Sequence, residues 1–250
     1  MNKQMFQYTH KLYHYTSFDS AIKIIETKKI RLGRLENMND INEAYRGIFY
    51  KDGCTIADID VKKALQEYQQ VSFTIDKVSS PGYSISAMWG HYGNKGYGVC
   101  LVFDFDIIQD IIKPDKSVWG ETIRYSNRYN GDICIENDNI HQSFKKHKRK
   151  LFFTKTTDWK YEQEWRILKH VNDTNNYYQD IGDSIIGIIL YASKSCSSNE
   201  HIFDSTEAKI LCKLAPDITL LEYGRWLGKV ILKDQENHDW ADNEKYTLDV

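Results

Sequence analysis

Apolar and polar positions change period several times along this chain, and each change predicts an element. Residues 11–17, "KLYHYTS", alternate and are rich in aromatics, the pattern of a half-buried strand. In "FDSAIKIIETKK", Phe18, Ala21, Ile22 and Ile25 recur at helical spacing with Lys23, Glu26 and Lys28 outside, and Thr16 or Ser17 stands where a helix needs its N-cap. "KIRLGRL" predicts a second strand, "ENMNDINEAYRG" a loop entering a helix, "ADIDVKKALQEYQQ" a helix and "VSFTI" a strand. "SAMWGHYG" has the length of two helical turns before "NKG" breaks it, and "YGVCLVFDF" is apolar without alternation, as expected of a central strand covered on both faces. "GETIRYSNRY" predicts a strand, "NIHQSFKKHKRKLFFTK" a helix with a solvated basic face, "SIIGIILYA" a buried strand, "SSNEHIFDSTEAKILCKLA" a helix and "ITLLEYG" a last strand.

Strands cluster in this order instead of alternating strictly with helices. The expected architecture is therefore α+β, with a mostly antiparallel mixed sheet flanked by helices. The length of 250 residues and an apolar fraction of 41% suffice for a substantial core. Only three prolines occur and no low-complexity tract or repeat marks a boundary, so one domain is expected over 1–250.

Charge and cysteine usage narrow the function classes. A formal net charge of -2 gives no global footprint for nucleic acid. Cys54, Cys100, Cys134, Cys196 and Cys212 are scattered, odd in number and lack a C-x-x-C pair, which argues for reduced thiols and against a disulfide framework or compact zinc site. The opening "MNKQMFQYTH" lacks the apolar run of a signal peptide, and no stretch approaches the length of a membrane span. A cytoplasmic protein with no membrane partner is expected.

Residues 155–168, "KTTDWKYEQEWRIL", hold the densest chemistry. Read as one strand, they place Glu162, Glu164 and Arg166 on one face and Tyr161, Gln163 and Trp165 on the other. A strand facing water explains that stripe, and so does a strand walling a cleft. Elsewhere, "MWGHYGNKGYG" sets Trp89, His91 and Tyr92 beside a glycine-rich loop that matches neither a P-loop nor a dinucleotide fingerprint. Trp89 is expected to pack, whereas His91 and Tyr92 are the ligand-facing candidates. His14 lies between Tyr13 and Tyr15, just before Thr16 and a helix start that would attract phosphate. Asn39, Asp40 and Glu43 form a polar cluster explained by capping and loop bracing. With His91 and Glu162 they would be needed for a metal-dependent phosphoester hydrolase, but the carboxylates are far apart in sequence and no metal is expected.

The motifs "LYHYTS", "NDINEAY", "SAMWGHYGNKGYGVCLVFD" and "DWKYEQEWRIL" follow in the order seen in one bacterial family, and over about 12–191 the sequence resembles the domain of unknown function 2971 family. The remaining C-terminal helix and strand are then expected to pack onto that core. The "YHYTS" opening followed by a helix and a strand is also similar to the start of ADP-ribosyltransferase-like folds. That resemblance implies NAD as substrate, His14 on the first strand contacting ribose or phosphate, Ser72 or Thr74 on a middle strand, and Glu164 as the late catalytic carboxylate. Glu162 would position the acceptor and Arg166 would hold a carboxylate or bind pyrophosphate, while Tyr15, Thr16, Trp89, His91 and Tyr92 would line the nucleotide. What it implies for function is an NAD- or nucleotide-binding effector in a stress, toxin or phage-defence setting, with a protein or nucleic-acid acceptor left open. A non-catalytic ligand-sensing module built on the same aromatic pocket is the alternative from another class.

Overall fold

The computed structural model describes residues 10–40, 48–50, 58–78, 80–127, 133–135, 139–171, 175–191, 205–224 and 229–232. In chain order the elements are β1 (Lys11–Thr16), α1 (Phe18–Thr27), β2 (Lys29–Arg31), β3 (Gly33–Arg34), β4 (Ile48–Tyr50), α2 (Asp58–Gln66) and β5 (Tyr68–Ile75). There follow α3 (Ser86–His91), β6 (Val99–Asp104), α4 (Phe105–Ile112), β7 (Val118–Thr122), β8 (Arg124–Tyr125), β9 (Ile133–Ile135), α5 (Ile140–Lys146) and α6 (Lys148–Phe152). The last are β10 (Thr154–Lys155), β11 (Glu164–His170), β12 (Tyr178–Asp180), β13 (Ile185–Tyr191), α7 (Thr206–Leu214), β14 (Thr219–Gly224) and β15 (Lys229–Leu232). The architecture is α+β, with a mostly antiparallel mixed sheet flanked by helices. None of the described helices is long and apolar enough to cross a membrane.

The contacts within the chain divide it into two compact units. Residues 1–30, 73–111 and 180–250 form the first; residues 31–72 and 112–179 form the second. The division falls within β5, whose residues from Phe73 onward belong to the first unit.

In the first unit the strand order is β15, β14, β13, β6, β1 and the end of β5. β13 and β14 run parallel, joined through α7, and the other neighbours are antiparallel. β6 is buried along its whole length, which explains its unbroken apolar run. Ser17 caps α1, its hydroxyl oxygen accepting from the Ser20 amide, and the helix ends at Lys28 in the left-handed region. Ala21 and Ile24 are its buried residues, while Phe18, Ile22 and Ile25 are half-buried.

In the second unit β3 pairs with the start of β5, β11 pairs antiparallel with β7, and β8 pairs parallel with β10. Its core is a cluster around Tyr68, Phe144, Phe152, Phe153 and Leu168, closed by Val61, Ala64 and Leu65 from α2. The Tyr68 ring stacks on Phe152 at 4.5 Å between centroids.

Three expectations change in the structure. "YQQ" belongs to β5 and not to the preceding helix, because all three residues are buried in the sheet. The basic helix is two short ones, α5 and α6, meeting at His147. "ITLLEYG" is not the last strand, since β15 follows it. The helix expected within "ENMNDINEAYRG" lies outside the described residues beyond Asp40.

Candidate functional site

The segment at 155–168 is not one strand. Lys155 ends β10, a 3-10 helix occupies Thr157–Glu162, Gln163 takes a left-handed conformation at φ 47°, and β11 begins only at Glu164. The short helix returns the chain to its own start, so Glu162 arrives over Lys155 by a turn and not by strand alternation. The alternation that would face water is absent: β11 is buried from Glu164 to Lys169.

The result is a charge cluster inside the second unit. Lys155 Nζ lies 2.7 Å from Glu162 Oε2 and 2.8 Å from Glu164 Oε2, and Arg166 Nε donates to Glu164 Oε1 at 2.7 Å. Ser72, on β5, donates its hydroxyl to the same Oε1 at 2.5 Å, and the Glu164 amide donates to the Tyr125 hydroxyl at 2.9 Å. Arg166 Nη1 donates to the Phe152 carbonyl at 2.7 Å. Glu162 is 3% exposed, Glu164 and Arg166 1% each, and Lys155 7%, so two anions and two cations neutralise one another away from water.

Burial alone would raise the Glu164 pKa. The Arg166 and Lys155 charges outweigh it and, with their hydrogen bonds, carry the carboxyl down to about 2. Beside it, burial pushes the Tyr125 phenol well up, so its hydroxyl stays protonated and accepts from the Glu164 amide. The cluster thus provides an ionised carboxylate fixed by three partners, with Arg166 in the carboxylate-holding role. Lys155 and Tyr125 escaped the sequence reading. Lys155 stands at the head of the motif, but the fold that brings it to both glutamates depends on the helical turn, which strand periodicity does not indicate.

The first unit holds the other candidates. Trp89 is 2% exposed; its ring packs on Tyr15 and Tyr191, and its Nε1 donates to the Tyr83 carbonyl at 2.8 Å. Tyr15 is also in this core, donating to the Gly82 carbonyl at 2.5 Å, and burial raises its phenol pKa well above the ordinary value. The indole and the Tyr15 ring are thus held among aromatic neighbours of the first unit. The glycine-rich loop is filled by its own chain as well: a Cβ on Gly98 would run into the Thr16 carbonyl and the Gly93 backbone. His91, at the end of α3, is exposed with Tyr92 half-buried beside it, their rings 6.3 Å apart. His14 is half-buried with its ring 5.6 Å from Phe73, Thr16 is half-buried, and Thr74 is buried.

Within the units, then, Ser72, Glu162, Glu164 and Arg166 come together in the second, and Tyr15 and Trp89 in the first. Asn39 is exposed and Asp40 buried in the second unit, while Glu43 lies outside the described residues.

Two solved structures are similar to the chain. "Thermus sp. 2.9 DarT in complex with NAD+" aligns with a TM-score of 0.36 and 12% identity, covering 82% of this chain and 88% of that one. "Thermus sp. 2.9 DarT in complex with ADP-ribosylated ssDNA" gives a TM-score of 0.34 and 13% identity over 82% and 87%. Likenesses at that level assign no chemistry to this chain. No curated protein sequence matches it. Residues 88–167, a narrower span than the motifs suggest, match the model of the family described as "Protein of unknown function (DUF2971)", and that span runs from α3 with Trp89 to the Glu164–Arg166 pair on β11.

Proposed function

We propose that the protein binds NAD or a related nucleotide and acts as an ADP-ribosyltransferase-like effector, with Glu164 as the carboxylate that handles the ribose. The observation that carries this reading is the state of Glu164: ionised, held by Ser72, Arg166 and Lys155, and placed at the first residue of a strand. Cleavage of the bond between nicotinamide and ribose sends the electron pair out with nicotinamide and leaves positive charge developing on the sugar. A fixed anion that accepts a ribose hydroxyl proton in a hydrogen bond stabilises that charge without reorganising at the moment of reaction. Glu164 is 1% exposed, so a ribose hydroxyl reaches it by replacing the Lys155 ammonium as its partner, with Ser72 and Arg166 still holding the other oxygen. Glu162, released from Lys155 in the same movement, would orient the attacking acceptor or water. The proposal involves the second unit alone; His14, His91 and Tyr92 carry no step in it.

Incubation of purified protein with NAD, reading nicotinamide release and thermal shift together, tests the reading. Glu164→Gln is expected to lower turnover on the order of 10²-fold or more. Ser72→Ala, which removes one hydrogen bond and no charge, is expected to lower it on the order of tenfold. Unchanged turnover in a folded Glu164→Gln variant would sink the assignment.

The burial of Glu164 also favours a second reading, in which the charge cluster braces a non-catalytic nucleotide-sensing module. NAD would then shift the melting temperature with no nicotinamide released.

A further inference from the structure

A second group of chemistry-bearing side chains gathers in the second unit, apart from the Glu164 cluster. Glu67 follows the last residue of α2, His141 lies in the first turn of α5, and His170 is the last residue of β11. His170 Nε2 is 3.0 Å from Glu67 Oε2, and His141 Nδ1 is 3.6 Å from the same oxygen. One ligand atom from each of the three lies within 4.8 Å of the others.

We infer that Glu67, His141 and His170 form a binding site for a divalent transition metal of the zinc class. Two imidazoles and a carboxylate are the nitrogen and oxygen donors such an ion takes, whereas magnesium and calcium select all-oxygen sets. Around a tetrahedral zinc with bonds of about 2.0–2.2 Å, neighbouring ligand atoms stand about 3.4 Å apart. The 3.0 Å and 3.6 Å separations bracket that edge and the third lies within 4.8 Å, so rotation of the side chains toward a shared centre brings all three atoms onto one ion. Both imidazoles point at one carboxylate oxygen, which concentrates negative potential where the cation would sit.

The frame around the site is stiff. The Glu67 carbonyl accepts from the Val171 amide at 2.7 Å, tying the α2 end to the β11 end, and the Tyr68 ring lies 4.9 Å from His170. Asn139 caps α5 through the Gln142 amide, fixing the turn that carries His141. The side chains of Glu67 and His170 are 33% and 29% exposed and that of His141 is 55%, so the ion would face solvent on one side. Three protein ligands with a solvent-facing fourth position make an open site, one that takes water or an anionic oxygen ligand. The sequence shows none of this, because the three residues come from separate elements and none makes an i, i+4 pair. The inference is independent of the NAD reading and replaces the expectation that no metal binds.

The test is calorimetric titration of zinc chloride into the chelator-stripped full-length protein, with thermal melts on the same samples. Expected are a one-to-one binding step and a zinc-dependent rise in melting temperature. His141→Ala and Glu67→Gln should each weaken the affinity at least tenfold and abolish the rise, while His91→Ala leaves both intact. His141 is more than half exposed, so its alanine variant is expected to fold, and circular dichroism checks this. Cobalt(II) should give a four- or five-coordinate visible spectrum that His141→Ala removes. No stoichiometric step in the wild type, or wild-type affinity in both His141→Ala and Glu67→Gln, would overturn the site.

Discussion

The two family-matched motifs use opposite physics. Around Trp89, aromatic rings from β1, β13 and β14 pack edge and face, and one indole hydrogen bond fixes the orientation. Around Glu164, four buried charges hold one another through ion pairs. Packing of the first kind degrades gradually, because a smaller ring still buries area. A buried charge cluster fails abruptly, since removing one member leaves its partner charged and unpaired. A network that costs desolvation and tolerates no single loss is a poor choice for stability alone, which favours a functional role for Glu164 over one for the tryptophan.

That contrast can be broken most directly at Glu164. Replacement by Gln leaves two buried cations, Arg166 and Lys155, with the single carboxylate of Glu162 at Lys155 and none at Arg166, and chemical denaturation should show a loss of about 3–5 kcal/mol. Trp89→Phe keeps most of the ring packing and loses the bond to the Tyr83 carbonyl, so a smaller loss of about 1–3 kcal/mol is expected. Equal losses in the two variants would erase the distinction between the motifs.

Acid sharpens it further. The folded Glu164 carboxyl is depressed to about 2, whereas an unfolded glutamate titrates near about 4.3. A depressed folded pKa means stability that is fully present above the unfolded value and lost as pH falls through the folded one. Melting temperature should therefore drop between pH ~4 and ~2, and the part of that drop owed to Glu164 should be missing in Glu164→Gln and retained in Trp89→Phe.

The smallest effect is expected at the surface. Asp115 is also lowered to about 2, first by its hydrogen bond from Lys169, yet its side chain is 44% exposed. Solvent screens that pair, so Asp115→Asn should cost no more than about 1 kcal/mol in the same denaturation experiment. A loss as large as that at Glu164 would show that burial does not set the scale.

The sequence by itself determined the elements whose periodicity is set by burial. β6 had to be a central strand because nothing in "VCLVFD" but its last residue tolerates water, and α1 had to start just after Thr16 and Ser17 because a hydroxyl there meets the amides that a first turn leaves unpaired, the structure using that of Ser17. It also marked Ser72, Glu162, Glu164 and Arg166, which the structure gathers in one cluster. What only the tertiary structure decided was how the glutamates are held. Period-2 alternation predicts a polar face along 155–168, but the left-handed residue at Gln163 and the helical turn before it replace that face with a closed ion network centred on Lys155. The meeting of Glu67, His141 and His170 was likewise invisible, since side chains separated by dozens of residues are brought together by sheet and helix packing, and local pattern carries no information about that.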